Sequence, residues 1–232
     1  MPEARLRRHD LVWLDPADAA RLGVADADRA GLAAWLARRL PLVVGRQVPQ
    51  LDGLRLGFTL PGTGPRRRVE VRAPLAAILT HDAPPLLEAV LGAAPAAWQA
   101  PLHAVVRSFG QVGLRPRAYG SLVTQAFSGE ACLRPGSDVD LLIDCRSRAE
   151  AEAALAVLEA FGDGPPRLDG ELHMPHGWAV AWRELTQTRA SGGQLLAKSD
   201  SGVQLMGAED FLGAPTTLGA VNGNPGHALA AC

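Results

Sequence analysis

Apolar residues recur at two spacings in the first third of the chain, and each spacing predicts its own element. The segment DADRAGLAAWLARRL has the three-to-four-residue period of an amphipathic helix, at Leu32, Trp35, Leu36 and Leu40. Shorter apolar stretches between prolines and glycines predict strands, namely DLVWL, PLVVGRQ, LRLGFTL and RRRVEVRA. We therefore predict a small N-terminal α+β unit over residues 1–80.

A second unit is predicted over residues 81–212. It begins with the helix-rich stretch APPLLEAVLGAAPAAWQAPLHAVVRSFG, which we expect Pro95 and Pro101 to interrupt. Helices are then predicted for SLVTQAF and AEAALAVLEAF, and strands for RPRAYGS, DVDLLIDC, RLDGELHM, GWAVAWREL, GQLLAKS and GVQLMG. In the strand GWAVAWREL, Trp178 and Trp182 would lie on one face, because side chains alternate along a strand.

These elements predict an α+β fold in which a small α/β unit precedes a mixed sheet flanked by helices. Residues 213–232 show little pattern, and we expect them to form a mobile tail. The fold class alone leaves the function open, because one fold supports many chemistries.

The composition narrows the classes of protein that fit. The chain has 232 residues, 47% of them apolar, and a formal net charge of −1, which argues against a general nucleic-acid binder. No apolar run approaches the ~18 residues of a membrane-spanning helix. The three cysteines have neither disulfide-framework nor C-x-x-C spacing, so we expect a reducing, cytoplasmic location.

Three aspartates lie on one face of the predicted strand DVDLLIDC. Alternation places Asp138, Asp140 and Asp144 together and turns the intervening apolar residues toward the core. The Cα atoms of Asp138 and Asp140 would lie about 7 Å apart. A divalent cation such as Mg²⁺ would relieve the repulsion between their carboxylates. The alternative is an edge strand whose aspartates are simply solvated.

A glycine and a serine precede this strand, at a predicted strand-to-helix turn. Gly120 would let the backbone approach a ligand closely, and the helix beginning at Ser121 would offer free N–H groups to phosphate. By itself, Gly-Ser is also common in ordinary loops. Together with Ser137, Asp138 and Asp140 at the next strand, however, it predicts a phosphate cradle beside a metal site.

The order GS…SDVDLL resembles the signature of polymerase-β-like nucleotidyltransferases. That resemblance implies a mixed sheet, a Gly-Ser pair that binds a triphosphate and two carboxylates that bind Mg²⁺, here Asp138 and Asp140. It also implies a third carboxylate on a later strand. RLDGELHM offers Asp169 or Glu171, two apart on one face; Asp169 is our preferred candidate, and the alternative for it is a turn residue before Gly170.

A narrower resemblance covers most of the chain. RRHDLVWL, LPLVVGRQ, AYGSLVTQAFSGEACLRPGSDVDLLID, LDGEL and GWAVAWREL look like the phosphoribosyl-dephospho-CoA transferases of malonate decarboxylase. This resemblance implies triphosphoribosyl-dephospho-CoA as donor, a serine of the acyl-carrier subunit as acceptor, and pyrophosphate as leaving group. Two alternatives remain: another nucleotidyltransferase of the superfamily, or a non-catalytic adaptor that kept the fold and binds the carrier protein.

Further polar residues could contact the donor. Lys198, the only lysine, and Arg134, in the loop before Ser137, are candidates for binding its phosphates, although either could be an ordinary surface residue. The run of three arginines at 66–68 could steer an acidic carrier protein or could simply be a solvated face.

Overall fold

Two β-sheets, each with its own hydrophobic core, make up the protein. The computed structural model describes residues 6–48, 52–60, 67–161 and 163–213. The expected tail lies outside the described residues, except for Gly213 at the end of the last helix. No helix in these ranges is long and apolar enough to cross a bilayer.

The first sheet is antiparallel, in the order β4-β3-β2-β1-β5. Its strands are β1 (Leu11–Leu14), β2 (Leu42–Val44), β3 (Leu54–Leu60), β4 (Arg67–Ala73) and β5 (Ile78–Asp82). Helix α1 (Arg29–Ala37) covers the inner face with Leu32, Trp35 and Leu36, the residues that set its apolar period. The sequence pattern predicted these elements except β5, whose residues ILTHD are mostly polar or exposed.

The outer face of the first sheet is turned toward the second unit. The register places Leu11, Val43, Gly57 and Glu70 in one row across four strands. Leu11 is buried in the core of the second unit, whereas its neighbour Val12 is buried in the core of the first. Strand β1 therefore packs on both sides and fixes the two units against each other.

The second sheet is mixed, in the order β11-β10-β9-β8-β7-β6. Its strands are β6 (Arg117–Tyr119), β7 (Val139–Asp144), β8 (Leu168–His173), β9 (Ala179–Ala181), β10 (Leu195–Lys198) and β11 (Val203–Met206). Only β7 and β8 run parallel among these neighbours; the other pairs are antiparallel. The predicted α+β class, with a mixed sheet after a small first unit, is confirmed.

Helices surround the second sheet. They are α2 (Leu87–Val90), α3 (Ala96–Gln111), α4 (Gly120–Ser128), α5 (Arg148–Phe161), α6 (Trp182–Ser191) and α7 (Ala208–Gly213). The predicted helices SLVTQAF and AEAALAVLEAF are confirmed as α4 and α5. At α5, the Ser147 hydroxyl accepts the backbone N–H of Glu150 at 3.2 Å, as the Ser-x-x-Glu pattern predicts.

Two expectations about the second unit were wrong. Pro101 lies inside α3 and does not break it, because Leu102, Val105 and Phe109 bury a continuous helical stripe that outweighs the missing N–H. The segment GWAVAWREL is a strand only as far as Ala181; Trp182 begins α6. Trp178 and Trp182 therefore do not share a strand face.

Strands β7 and β8 approach each other so closely at one point that only glycine fits. Gly170 has φ +145°, and a Cβ there would lie 2.0 Å from the carbonyl oxygen of Leu141. Gly170 lies inside β8, so Asp169 is a strand residue and not part of a turn. The close approach holds the parallel register that aligns the polar side chains of the two strands.

We expect Gly170→Ala to destabilise the protein more than alanine at another glycine of positive φ. Gly177→Ala is the matched control, because Gly177 has φ +86° and a Cβ added there would meet no atom within 4 Å. The control should lose about 1–2 kcal/mol from backbone strain alone. Gly170→Ala should lose a further ~1–3 kcal/mol or more from the clash. Urea denaturation measures both, and equal losses would contradict the close approach.

Candidate active site

Three polar side chains form a row across neighbouring strands of the second sheet. Asp140 on β7 is the register partner of Tyr119 on β6 and of Asp169 on β8. Register partners project from the same face of a sheet, so the carboxylates of Asp140 and Asp169 lie side by side. This is the placement expected for Asp169, although its role as a ligand stays a prediction.

Gly120 is required by the carboxylate beside it. It has φ +69°, and a Cβ at this position would lie 2.1 Å from Oδ2 of Asp140. Any other residue would therefore push Asp140 out of place. The sequence pattern assigned Gly120 to the approach of a ligand; the structure adds contact with a candidate metal ligand as a second reason for glycine.

Helix α4 begins at Gly120, directly after the end of β6. Its N-cap residue, Tyr119, makes no side-chain hydrogen bond to the first turn, so the usual capping interaction is missing at this end of the helix. The half-buried Ser121 is the second residue of the helix. The positive end of the helix therefore points to the edge of the sheet where Asp140 lies, an arrangement that favours an anion such as phosphate.

Asp138 is held by Arg167, which lies far from it in the sequence. Nε of Arg167 donates to Oδ1 of Asp138 at 2.7 Å, and its Nη2 contacts the other oxygen. The two residues lie side by side because Asp138 precedes β7 and Arg167 precedes β8. No local pattern marks Arg167, since most basic residues of this chain are arginines.

The chemistry of Asp140 and Asp169 fits a magnesium ion. One oxygen of Asp169 accepts the N–H of Gly170 at 2.8 Å, which fixes the carboxylate beside Asp140. Among the described residues, no group of three or more His, Cys, Asp or Glu side chains converges as a metal cage. Mg²⁺ is commonly held by one or two carboxylates and the phosphates of a substrate, so two neighbouring carboxylates are sufficient.

Glu171, the other candidate for the third carboxylate, is buried in a cluster of cations. Arg8 contacts its Oε2, and Nζ of Lys198 donates to its Oε1 at 3.0 Å. Burial by itself would raise the pKa of Glu171, but His9, Arg8 and Lys198 outweigh that effect and lower it to about 2. Glu171 thus binds the protein's own cations, and Lys198 is engaged by Glu171 as well as lining the neighbouring cleft.

His9 connects this cluster to the row of polar side chains. Its ring packs on Tyr119 with 4.1 Å between centroids, and its Nε2 lies 3.7 Å from Glu171 with no hydrogen-bond partner among the described residues. Burial lowers the pKa of His9, and the adjacent carboxylate of Glu171 opposes this shift without reversing it. Burial, followed by the charges of Glu171, Asp140 and Asp169, raises the pKa of Tyr119, which stays protonated.

A large cleft separates the outer face of the first sheet from α4 and the start of β7. This inter-sheet cleft has a volume of about 640 Å³, and both Gly120 and Asp140 line it. One face of α4 forms a wall through Gly120, Val123, Thr124 and Phe127, which have the helical spacing of three and four residues. The cleft is large enough for a ligand of nucleotide size or more.

Two predicted contact residues lie in the loop before β7. The buried Ser137 accepts the backbone N–H of Arg134 at 2.9 Å, and its own N–H donates to the Arg134 carbonyl at 2.9 Å. Ser137 therefore closes the turn that positions Asp138. Arg134 has an exposed side chain in the same loop. Contact of either residue with a substrate stays a prediction.

Comparison with protein families matches both units of the chain. Residues 7–84 match the N-terminal domain of phosphoribosyl-dephospho-CoA transferase MdcG, and residues 85–209 match the C-terminal domain of the same family. No solved structure gave a significant match.

Curated relatives carry the same description, phosphoribosyl-dephospho-CoA transferase. A protein of Xanthomonas campestris pv. campestris (strain 8004) is 35% identical over 202 residues, covering 86% of this chain and 93% of the relative. A protein of Azotobacter vinelandii (strain DJ / ATCC BAA-1303) is 35% identical over 217 residues, covering 89% and 96%. A protein of Bradyrhizobium diazoefficiens is 31% identical over 214 residues, covering 90% and 93%.

We expect Glu171→Gln to destabilise the protein at pH 7, because Arg8 and Lys198 would lose their buried counter-charge. The low folded-state pKa of Glu171, about 2 against an ordinary 4.5, corresponds to stabilisation on the order of 3 kcal/mol. In the wild type this contribution is present above pH 4.5 and is lost as the pH falls toward 2. Urea unfolding between pH 7 and pH 3 measures the dependence, which the variant should flatten.

The matched control is Glu209→Gln. Glu209 also pairs with an arginine, Arg148, at 2.6 Å, but its side chain is 71% exposed. An exposed pair is screened by solvent and contributes little to stability. Similar losses in both variants would contradict a special role for the buried cluster.

Proposed function

Because the chain belongs to the phosphoribosyl-dephospho-CoA transferase family, we propose that its donor is 2′-(5″-triphosphoribosyl)-3′-dephospho-CoA and its acceptor a serine of the malonate decarboxylase acyl-carrier subunit. The serine oxygen attacks the α-phosphorus of the donor. A phosphodiester bond forms, the bond from that phosphorus to the β-phosphate oxygen breaks, and pyrophosphate leaves. The serine proton is released to solvent or to the departing pyrophosphate.

The observation that carries this proposal is the pairing of Asp140 with Asp169 beside Gly120 on the inter-sheet cleft. Two neighbouring carboxylates next to a helix N-terminus suit a triphosphate that arrives with its cation. They do not suit a bare anion, which they would repel. The polarity of the site therefore supports transfer from a metal-complexed triphosphate.

Asp140 and Asp169 would hold Mg²⁺, and Asp138 would join them once Arg167 releases its carboxylate. Arg167 would then find a new anionic partner in the donor's phosphates, close to its present position. When bound, Mg²⁺ would neutralise the triphosphate and polarise the attacking hydroxyl. Each aspartate would thus contribute a carboxylate oxygen, held in place by the sheet, as a ligand of the cation.

The first residues of α4 would bind the leaving phosphates. The N–H groups at the start of the helix can donate to phosphate oxygens, and the Ser121 hydroxyl can add one more donor. Gly120 would act mainly by leaving room for Asp140. Tyr119 stays protonated and packs on His9. It would thereby help to hold the neighbouring carboxylates of Asp140 and Asp169 in place.

Intact mass spectrometry of the carrier subunit tests the proposal. Apo carrier protein incubated with enzyme, donor and Mg²⁺ should gain the mass of one phosphoribosyl-dephospho-CoA group and release one pyrophosphate. A carrier with alanine at the acceptor serine should gain nothing. If the carrier binds the enzyme but its mass does not change, the protein is an adaptor; modification of a different acceptor would indicate another nucleotidyltransferase.

We expect Asp140→Asn and Asp169→Asn each to lower turnover by on the order of 10²-fold or more, because each removes charge from the proposed cation site. Both changes preserve shape, so the fold should be kept. Initial rates of pyrophosphate release at saturating donor measure the effect.

Asp144→Asn is the control on the same strand and face. Its carboxylate contacts His173 at 3.2 Å, at the far end of β7 from the pairing of Asp140 with Asp169. It should leave turnover within a few-fold of wild type. A comparable loss in this variant, or near-normal rates in either of the first two, would exclude the paired-carboxylate site.

A further inference from the structure

The inter-sheet cleft extends well beyond the carboxylate pair, along the outer face of the first sheet. Val43, Gly57 and Thr59 line this stretch, and Val43 and Gly57 are register partners on β2 and β3. Gly57, in the middle of β3, has no side chain, so nothing projects from this residue into the cleft. A Cβ at Gly57 would also lie 3.0 Å from the carbonyl oxygen of Val69, so the neighbouring strand favours glycine here as well.

Positive charge collects in this cleft although the whole chain carries a net charge of −1. Its lining includes five cationic side chains and only two carboxylates. The cations are Arg8, Arg46, Arg55, Arg68 and Lys198, and the carboxylates are Glu70 and Asp140. The excess of positive charge favours an anionic ligand.

Three of the five cations already have acidic partners. Arg8 and Lys198 contact Glu171, and Arg55 lies 2.7 Å from Glu70. Arg46 and Arg68 make no ion pair with any residue that the structure describes. These two arginines, one after β2 and one on β4, are therefore the charges available to an incoming anion.

The arginine run at 66–68 does not form one basic face. Arg67 points away from the cleft and lies 2.6 Å from Asp28, whereas Arg68 lines the cleft as the register partner of Thr59. Arg66 lies outside the described residues. Alternation along β4 thus separates Arg68 from Arg67, and only Arg68 of this pair is placed to contact a ligand in the cleft.

The opposite wall of the cleft is largely apolar. Val123 and Phe127 of α4 line it, and the Phe127 side chain is 39% exposed. A ligand for this space should combine anionic groups with an apolar arm or ring. A bare inorganic anion would leave the apolar wall in contact with water.

We propose that the outer face of the first sheet binds the dephospho-CoA half of the donor, with Arg46 and Arg68 contacting its internal diphosphate. This inference rests on the proposed function, which puts the triphosphate of the same donor at Gly120 and Asp140. The adenosine diphosphate ester supplies the anion, and its pantetheine arm supplies a flexible chain for the apolar wall. The N-terminal unit is therefore the part of the protein that distinguishes this donor from an ordinary nucleoside triphosphate.

Direct binding of 3′-dephospho-CoA, which lacks the triphosphoribosyl group, tests the proposal without any transfer. Isothermal titration without metal should show binding to the full-length protein. Arg46→Ala and Arg68→Ala should each raise the Kd about tenfold or more, because each removes charge-assisted hydrogen bonds to phosphate. Arg67→Ala, one residue away on the other side of β4, should leave the Kd unchanged.

Two results would overturn this assignment. One is a Kd for 3′-dephospho-CoA that is the same in wild type, Arg46→Ala and Arg68→Ala, or no binding at all. The other is a higher KM for the carrier protein in Arg68→Ala while the Kd for 3′-dephospho-CoA is unchanged. That result would mean that the cleft binds the acceptor and not the donor. If the protein transfers nothing but still binds 3′-dephospho-CoA in a way that depends on Arg46 and Arg68, the binding site is supported and the proposed function is wrong.

Discussion

The parallel pairing of β7 with β8 is the constraint on which the candidate site depends. Asp140 and Asp169 are 29 positions apart in the chain and are neighbours only through this register. The strands can approach closely because Gly170 has no side chain to meet the Leu141 carbonyl. The same register aligns Leu142 with Glu171 and Asp144 with His173, so a shift by one residue would take every one of these pairs apart.

The second constraint is the set of contacts that fixes the first unit to the second. Arg8 reaches Glu171 with its side chain, and its backbone N–H donates to Oδ1 of Asp200 at 2.9 Å. The N–H of Gln47 donates to the Asp200 carbonyl at 2.7 Å. These contacts, together with Leu11 in the second core, hold the outer face of the first sheet opposite α4. The cleft exists because both units are fixed in this way.

Sequence patterns predicted the parts of the site that local alternation determines. Val139, Leu141 and Ile143 are buried as the pattern of DVDLLIDC required, and Gly120 starts a helix directly after a strand. Arg167 could not be found this way, because its partner Asp138 is 29 residues distant and any of many arginines could have occupied that place. The cation cluster around Glu171 was missed for the same reason, since Arg8 comes from the other unit. Likewise, tertiary packing keeps α3 helical across Pro101, although proline locally disfavours the interior of a helix.

We propose that Asp140 and Asp169 act as one cation site when the donor is bound. Electron paramagnetic resonance with Mn²⁺ in place of Mg²⁺ tests it directly, because Mn²⁺ takes the same oxygen ligands. In the presence of donor, wild-type protein should remove free Mn²⁺ from solution, and Asp140→Asn and Asp169→Asn should each weaken that binding to a similar degree. If Asp169→Asn binds Mn²⁺ as tightly as wild type while Asp140→Asn does not, the two carboxylates do not share a cation and the claim is wrong.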